Sequence, residues 1–225
     1  MSSASLRTIC KVGNTLTPAE LQAIYAIRAE YMRPKNSKEQ DWAYFSEHIA
    51  AAQYLFLFVD ADEQIQGCSL VYHFVGEQNG QPYLGIELGL GYLRPQYRSQ
   101  GYPNSALTYA LTTIYAEYPD LPKYFLGVAF PAGYLIFRPF GLPVFHLESP
   151  ELTDVAREIL RTYSLSQYGD GISPVCNSIL VPIASEAEIS RYAAHPDLQT
   201  FMQLVPHWYE GFALFIIVPM PKNLV

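Results

Sequence analysis

The sequence predicts an α/β (α+β) fold, with helices flanking a mixed, largely antiparallel central sheet. Three observations predict it. Half of the 225 residues are hydrophobic and 16% are charged, which supplies a sizeable core and is too apolar for a disordered chain. The apolar period is helical at first, turns to that of strands after residue 53, and becomes helical again after residue 103. Finally, helices and strands are mixed along the chain rather than sorted into blocks, as expected where helices cover a sheet.

The first helix opens at Thr15-Leu-Thr17-Pro18-Ala-Glu20. A hydroxyl precedes proline at the first helical position, and Glu20 stands three residues after Thr17. Leu21, Ile24, Tyr25, Ile27 and Arg28 continue at helical spacing until Pro34. A second helix is expected over 39–53, where Trp42, Phe45, Ile49 and Ala52 share a face. Strands follow at 54–59, 65–75 and 84–93. The turns between them carry Asp60-Ala-Asp62-Glu63 and then the hairpin pair Asn79-Gly80.

Residues 95–103 form a loop rich in Arg, Gln, Gly and Pro, and Asn104 opens a helix to about Glu117 on Leu107, Ala110, Leu111, Ile114 and Tyr115. A strand is expected at 123–129 and a short helix at 131–140, closed by Gly141 in a left-handed cap. Beyond Pro143 the pattern predicts an amphipathic helix at 151–163 and a strand at 178–183. A helix at 186–193, a helical turn at 198–204 and a last strand at 211–218 complete the chain.

Charge and composition exclude several classes. With 14 basic against 21 acidic residues the net charge is −7, which disfavours nucleic acid or an anionic membrane as partner. No run reaches the ~18 apolar residues of a membrane span, and 1–10 lacks the apolar core of a secretion signal. Cys10, Cys68 and Cys176 are odd in number and far apart, as in a reducing compartment, so a cytoplasmic protein is expected. Eighteen Tyr and 12 Phe stand against two Trp. These tyrosines either fill half-buried positions or line an aromatic cleft, and the sequence leaves both open.

Common site chemistries are missing. There is no P-loop, and Gly89-Leu-Gly91-Tyr-Leu-Arg94 fails the last position of a dinucleotide-binding loop. Gly67-Cys-Ser69-Leu-Val71 lacks the second glycine of a nucleophile elbow. Neither the five histidines nor the three cysteines have metal-ligand spacing, so no metal is expected.

The informative stretch is Leu93-Arg94-Pro95-Gln96-Tyr97-Arg98-Ser99-Gln100-Gly101-Tyr102, between a strand and a helix. Glycine beside a helix N-terminus exposes backbone N–H groups at the positive end of the dipole, and Arg98 adds a charge. This arrangement predicts a bound phosphate or pyrophosphate. The alternative is a polar loop capped by Asn104.

Pro95-x-Tyr97-Arg98-x-Gln100-Gly101 resembles the acyl-CoA-binding loop of the GNAT superfamily of N-acetyltransferases, an Arg/Gln-x-x-Gly-x-Gly/Ala pattern whose amides hold the pyrophosphate of coenzyme A. The resemblance covers about residues 16–142, including the order of elements. It implies acyl-CoA as co-substrate, bound by Leu93, Arg98, Ser99, Gln100, Gly101, Tyr102 and Asn104. Pro103 departs from the pattern and removes one amide. The family's second landmark, Asn-x-x-Ala-x-x-x-Tyr-x-x-x-Gly-Phe, meets Gly141, while Phe130 stands at the Asn position and Phe137 at the Tyr position. Tyr134, one turn earlier, is the substitute proton donor to the departing thiolate; otherwise it packs.

The implied reaction is direct attack of an amine on the thioester of acyl-CoA, in which the amine must lose a proton. Glu87, inside an otherwise apolar strand, and His73 on the preceding strand are the candidate bases. Each has a structural alternative, solvent-facing for Glu87 and a surface or core histidine for His73. Residues 1–146 are expected to form the acyl-CoA-binding core. Residues 147–225 are a C-terminal extension that completes the sheet and is placed to cover the acceptor cleft, within one compact domain. The acceptor is a small-molecule or protein amine, and a homodimer through terminal strands is an arrangement the resemblance allows. The competing function is a catalytically inactive binding or interaction module of the same fold.

Overall fold

The computed structural model describes residues 5–98, 100–169 and 171–222, the side chains of Leu90 and Tyr168 apart. The chain divides into two compact units. One holds the residues up to His73 and Leu88–Pro119, and the other holds Phe74–Glu87 and the residues from Asp120 onward.

In the first unit, β1 (Arg7–Lys11) leads to α1 (Pro18–Ala29), β2 (Met32–Pro34), α2 (Lys38–Ala51) and β3 (Tyr54–Val59). The start of β4 (Ile65–Gln78), the end of β5 (Gln81–Leu93) and α3 (Tyr102–Glu117) complete it. Its strands are ordered β1-β3-β4-β5, with β3 antiparallel to both β1 and β4. Both early helices start where the hydroxyls place them. The Thr17 side chain accepts from the Glu20 amide while Glu20 accepts from the Thr17 amide, and Ser37 and Gln40 repeat the exchange. Ile24 and Ile27 of α1 and Phe45 and Ile49 of α2 pack with Leu55 and Leu57 of β3 and Leu70 of β4. A side chain of this size contributes ~1.5–3 kcal/mol when fully buried.

One polar contact lies inside this core. Arg28 donates to both oxygens of Asp41 at 2.6 and 2.5 Å, and the Tyr25 hydroxyl adds a third bond at 2.8 Å. The two charged side chains are only 1% and 2% exposed, so α1 and α2 are joined by a buried bidentate ion pair.

In the second unit, β4 and β5 meet at Asn79 and Gly80, whose φ values of 52° and 74° make the left-handed turn the Asn-Gly pair predicts. Next come β6 (Lys123–Ala129), α4 (Pro131–Tyr134), α5 (Asp154–Tyr168), β7 (Val175–Asn177) and β8 (Leu180–Pro182). The last elements are α6 (Glu186–Ala193), α7 (Gln199–Leu204) and β9 (Phe212–Met220). Strand order is β4-β5-β6-β9-β7; β5 and β6 run parallel, while β9 is antiparallel to β6 and β7. Ala156, Ile159, Leu160 and Tyr163 of α5 recur at helical spacing and bury against Leu126, Ala213, Phe215 and Ile217. The mixed, mostly antiparallel α+β architecture expected from the sequence is present.

Several elements differ from the sequence expectation. β1 and β2 were not anticipated, because they are too short to show a period. Gly101, not Asn104, precedes the first turn of α3, which therefore starts at Tyr102; Asn104 lies inside the helix and caps nothing. The 131–140 segment is α-helical only to Tyr134 and continues as a 3-10 helix over Leu135–Phe140, where Pro139 offers no amide, before Gly141 turns at φ 64°. The helix expected at 151–163 is α5, since the Thr153 hydroxyl accepts from the Ala156 amide and starts it three residues later. The strand expected at 178–183 shrinks to β8, and β7 just before it is the one that pairs with β9.

Candidate functional site

The strand-to-helix loop of the first unit is anchored from several directions. At its start, Arg94 donates to Glu30 and, at 3.0 Å, to Gln66, which in turn donates to Asp60 at 2.5 Å. Pro95–Tyr97 form a 3-10 turn that buries Tyr97. The Leu93 carbonyl accepts from Nε of Arg98 at 3.1 Å and from the Tyr31 hydroxyl at 3.3 Å. The Arg98 guanidinium also lies 4.8 Å from the centroid of the Tyr31 ring, a cation–π contact on an exposed side chain. Arg98 is thus held at the loop surface by its Nε and its π-face.

The far end of the loop is set by Gly101, whose φ of 81° lies in the left-handed region where a side chain is strained. The first intrahelical bond of α3 runs from the Ser105 amide to the Gly101 carbonyl at 3.0 Å. Three backbone positions precede it. Pro103 has no N–H, and the amides of Tyr102 and Asn104 have no acceptor among the described residues. Two amides therefore remain at the positive end of a 16-residue helix. The Tyr102 hydroxyl is taken up by the Leu6 amide, which donates to it at 2.9 Å, and its ring contacts Phe58. The Gln100 side chain donates to the Gln96 carbonyl at 3.2 Å. Ser99 lies outside the described residues.

His73 occupies a different part of the same unit. Its backbone exchanges two hydrogen bonds with the Gln53 side chain, and its ring meets Tyr118 and Tyr54 at 5.5 and 6.1 Å. Nδ1 is buried with no hydrogen-bond partner among the described residues. Tyr118 ends α3 and Gly101 begins it, so a helix of this length puts about 24 Å between the histidine's surroundings and the loop.

In the second unit, Glu87 follows Ile86, the last β5 residue in register with β6. Its carboxyl opens into a cavity of about 220 Å3 with Phe74, Tyr83 and Tyr163. Burial pushes the Glu87 carboxyl up to about 7, against the smaller opposing effect of a hydrogen bond with the Tyr163 hydroxyl. Glycines shape this floor. A Cβ on Gly85 would stand 2.3 Å from the Phe74 ring and one on Gly76 would stand 2.4 Å from the Tyr83 ring, so both rings lie directly on strand backbone.

Tyr134 does not line that cavity. Its ring stands edge-to-face to Phe201 at 5.6 Å, and burial raises its hydroxyl above the ordinary phenol value. Phe137, at the position where the family pattern has tyrosine, is 1% exposed and lies 4.4 Å from Phe125. Sequence reasoning missed Tyr31 and Tyr163, the partners of Arg98 and Glu87. Each is far from its partner in sequence and carries no local motif; only the excess of tyrosine hinted at them.

Among the described residues no group of three His, Cys, Asp or Glu is placed to hold a metal ion, no disulfide forms, and no helix is long and apolar enough to cross a membrane.

No family model and no curated protein matches the chain. Solved structures do, and three of them match at 10–16% identity with TM-scores of 0.41–0.47. A conserved Enterococcus faecalis protein, described as a probable N-acyltransferase, is 13% identical over 71% of this chain, with a TM-score of 0.45. The match spans 43% of that protein, so the chain covers less than half its length. A GNAT-family N-acetyltransferase from Escherichia coli, solved with CoA, is 16% identical over 64% of this chain and 72% of its own, with a TM-score of 0.41. The NatC complex bound to Gag peptide and CoA is matched at 10% identity over 96% of this chain and 99% of its own, with a TM-score of 0.47.

Proposed function

We propose that this chain is an acyl-CoA-dependent N-acyltransferase, moving an acetyl or other acyl group to an amine. The observation that carries the reading is the head of α3. There the left-handed Gly101 turn leaves the amides of Tyr102 and Asn104 without acceptors among the described residues, in the same loop that carries Arg98. A pyrophosphate supplies the missing acceptors and the negative charge that a helix N-terminus favours. In this reading Arg98, Ser99, Gln100 and Gly101 with the two amides hold the diphosphate of the co-substrate, and the backbone amides at the end of β5, near Leu93, polarise its thioester carbonyl.

The chemistry asks for a proton acceptor and a proton donor. As the amine nitrogen bonds to the thioester carbonyl carbon, its proton must leave, and the C–S bond then breaks to give a thiolate that takes up a proton. A carboxyl of pKa about 7 is half ionised at neutral pH, so Glu87 suits the first role. A phenol held neutral by burial suits the second, which assigns it to Tyr134. His73, at the far end of α3, takes no part in this reading.

A second reading is a fold that binds CoA without acyl transfer. Pro103 in place of an amide donor and Phe137 packed on Phe125 favour it. Calorimetric titration with acetyl-CoA, on the protein and on Arg98→Ala, tests both. Micromolar binding that weakens in the variant, with thiol release when amines are added, supports the transferase. Binding without thiol release across an amine panel favours the second reading, and no binding to any acyl-CoA removes both.

A further inference from the structure

The cavity at Glu87 combines features beyond the carboxyl that the acyl-transfer reading uses. Its floor is aromatic, from Phe74 on β4, Tyr83 on β5 and Tyr163 on α5, with Phe74 and Tyr83 at 75° and 6.3 Å between centroids. Its rim is polar and exposed, from Thr162, Ser166 and Gln167 of α5. One carboxyl stands among these rings, and among the described residues no Lys or Arg lines the cavity to neutralise it. A buried carboxylate without a cation is costly, whereas rings present their negative faces to a cation. Anions are repelled by such a lining, and a neutral polar ligand gains hydrogen bonds at the rim but no attraction between charges. A cation gains from both the carboxylate and the rings.

We propose that this cavity binds a compact primary ammonium ion, with Glu87 as its counter-ion and Phe74, Tyr83 and Tyr163 as its aromatic wall. A cavity of about 150 Å3 takes benzene, so one of about 220 Å3 takes an amine of roughly six to ten non-hydrogen atoms. Long polyamines and folded protein segments are too large to be enclosed; a single alkyl or aryl amine, or one side chain ending in an amine, fits. The polar rim accepts hydrogen bonds from the remaining N–H groups. As the identity of the acceptor, the inference rests on the transferase reading; as a binding site, it is tested without any acyl-CoA.

Binding also carries a proton signature. The titratable groups facing Glu87 are Tyr83 on its own strand and Tyr163 on α5, with Tyr124 of β6 behind Tyr83. Burial raises the Tyr83 and Tyr124 phenols, which stay neutral at physiological pH. Glu87 therefore carries the change of charge as the ligand enters near neutrality. The cation selects the ionised carboxylate, so below about pH 7 each bound ammonium displaces a proton from Glu87.

The test uses benzylammonium and its uncharged isostere benzyl alcohol as probes, titrated into the whole protein and followed by calorimetry and NMR. Benzylammonium is expected to bind roughly tenfold more tightly than benzyl alcohol at pH 8. Its affinity should fall about tenfold at pH 6, with uptake by the buffer of close to one proton per ligand. Glu87→Gln should abolish both the preference and the pH dependence. Tyr163→Phe, which keeps the ring, should retain the preference and shift its pH dependence upward. Equal binding of the two probes, no binding of either, or an unchanged preference in a folded Glu87→Gln protein overturns the proposal. Because acetyl-CoA titration reads the Arg98 loop separately, failure here with intact acetyl-CoA binding removes the ammonium site alone.

Discussion

Glu87 on β5 and Tyr163 on α5 share a hydrogen bond inside the second unit, and it is too weak to offset the burial of the carboxyl. The folded-state pKa, about 7, lies above the ordinary 4.5, so the native protein holds this proton more tightly than the unfolded chain does. Glu87's contribution to stability is therefore complete below pH 4.5 and is lost as pH rises through 7. The loss amounts to up to about 3 kcal/mol. Glu87→Gln removes that slope, so the variant should gain on the parent steadily between pH 5 and pH 8 in urea unfolding. Parallel stability curves would show that the carboxyl is solvated.

Tyr31 positions Arg98 by offering a ring below the guanidinium and sharing the Leu93 carbonyl with its Nε. Tyr31→Ala should weaken acetyl-CoA binding about three- to tenfold by releasing the arginine. Tyr31→Phe, which keeps the ring, should cost little. Equal losses in both variants, measured calorimetrically, would assign the effect to the hydroxyl instead.

Pro103 sits at the second position of α3, where an N–H would otherwise point out beside those of Tyr102 and Asn104. Pro103→Ala restores this donor without disturbing an intrahelical bond. Acetyl-CoA affinity should rise by about three- to tenfold, the worth of one hydrogen bond to a charged group after losing proline's preorganisation. Unchanged affinity would mean that the phosphates do not lie at this helix end.

The Arg28–Asp41 pair is the polar lock between α1 and α2. Burial alone would raise the Asp41 carboxyl, but hydrogen bonds from Arg28 and Tyr25 outweigh it and hold it below the ordinary value. Asp41→Ala strands a buried guanidinium and should cost about 3–5 kcal/mol of unfolding free energy. The pair's stabilisation is present above the ordinary carboxylate pKa and fades as pH falls through the lowered one. The double variant Arg28→Met/Asp41→Leu should recover most of the loss, which denaturant titration would measure.

What the sequence by itself determined is local. Thr17 with Glu20, Asn79-Gly80 and Gly141 name their own caps and turns, because each satisfies a backbone group or a φ value within a few residues. Helical apolar spacing likewise located α1, α2 and α3, since a single buried face imposes its period on the chain. β3 showed as a short continuous apolar run because both of its faces are buried. The Arg98–Gly101 loop was legible for the same reason, as a glycine turn running into a helix.

Only the tertiary structure decided which side chains meet. Tyr31 reaches Arg98 across 67 positions and Tyr163 reaches Glu87 across 76, and no spacing rule connects residues so far apart. β1 is equally silent in the sequence: it is a strand because β3 offers it an open edge of hydrogen bonds, not because of its own five residues. The charge state of Glu87 belongs to the same class. An acidic residue in an apolar strand announces either solvent or a site, and it is the packing of α5 and Phe74 around it that takes away part of its solvation.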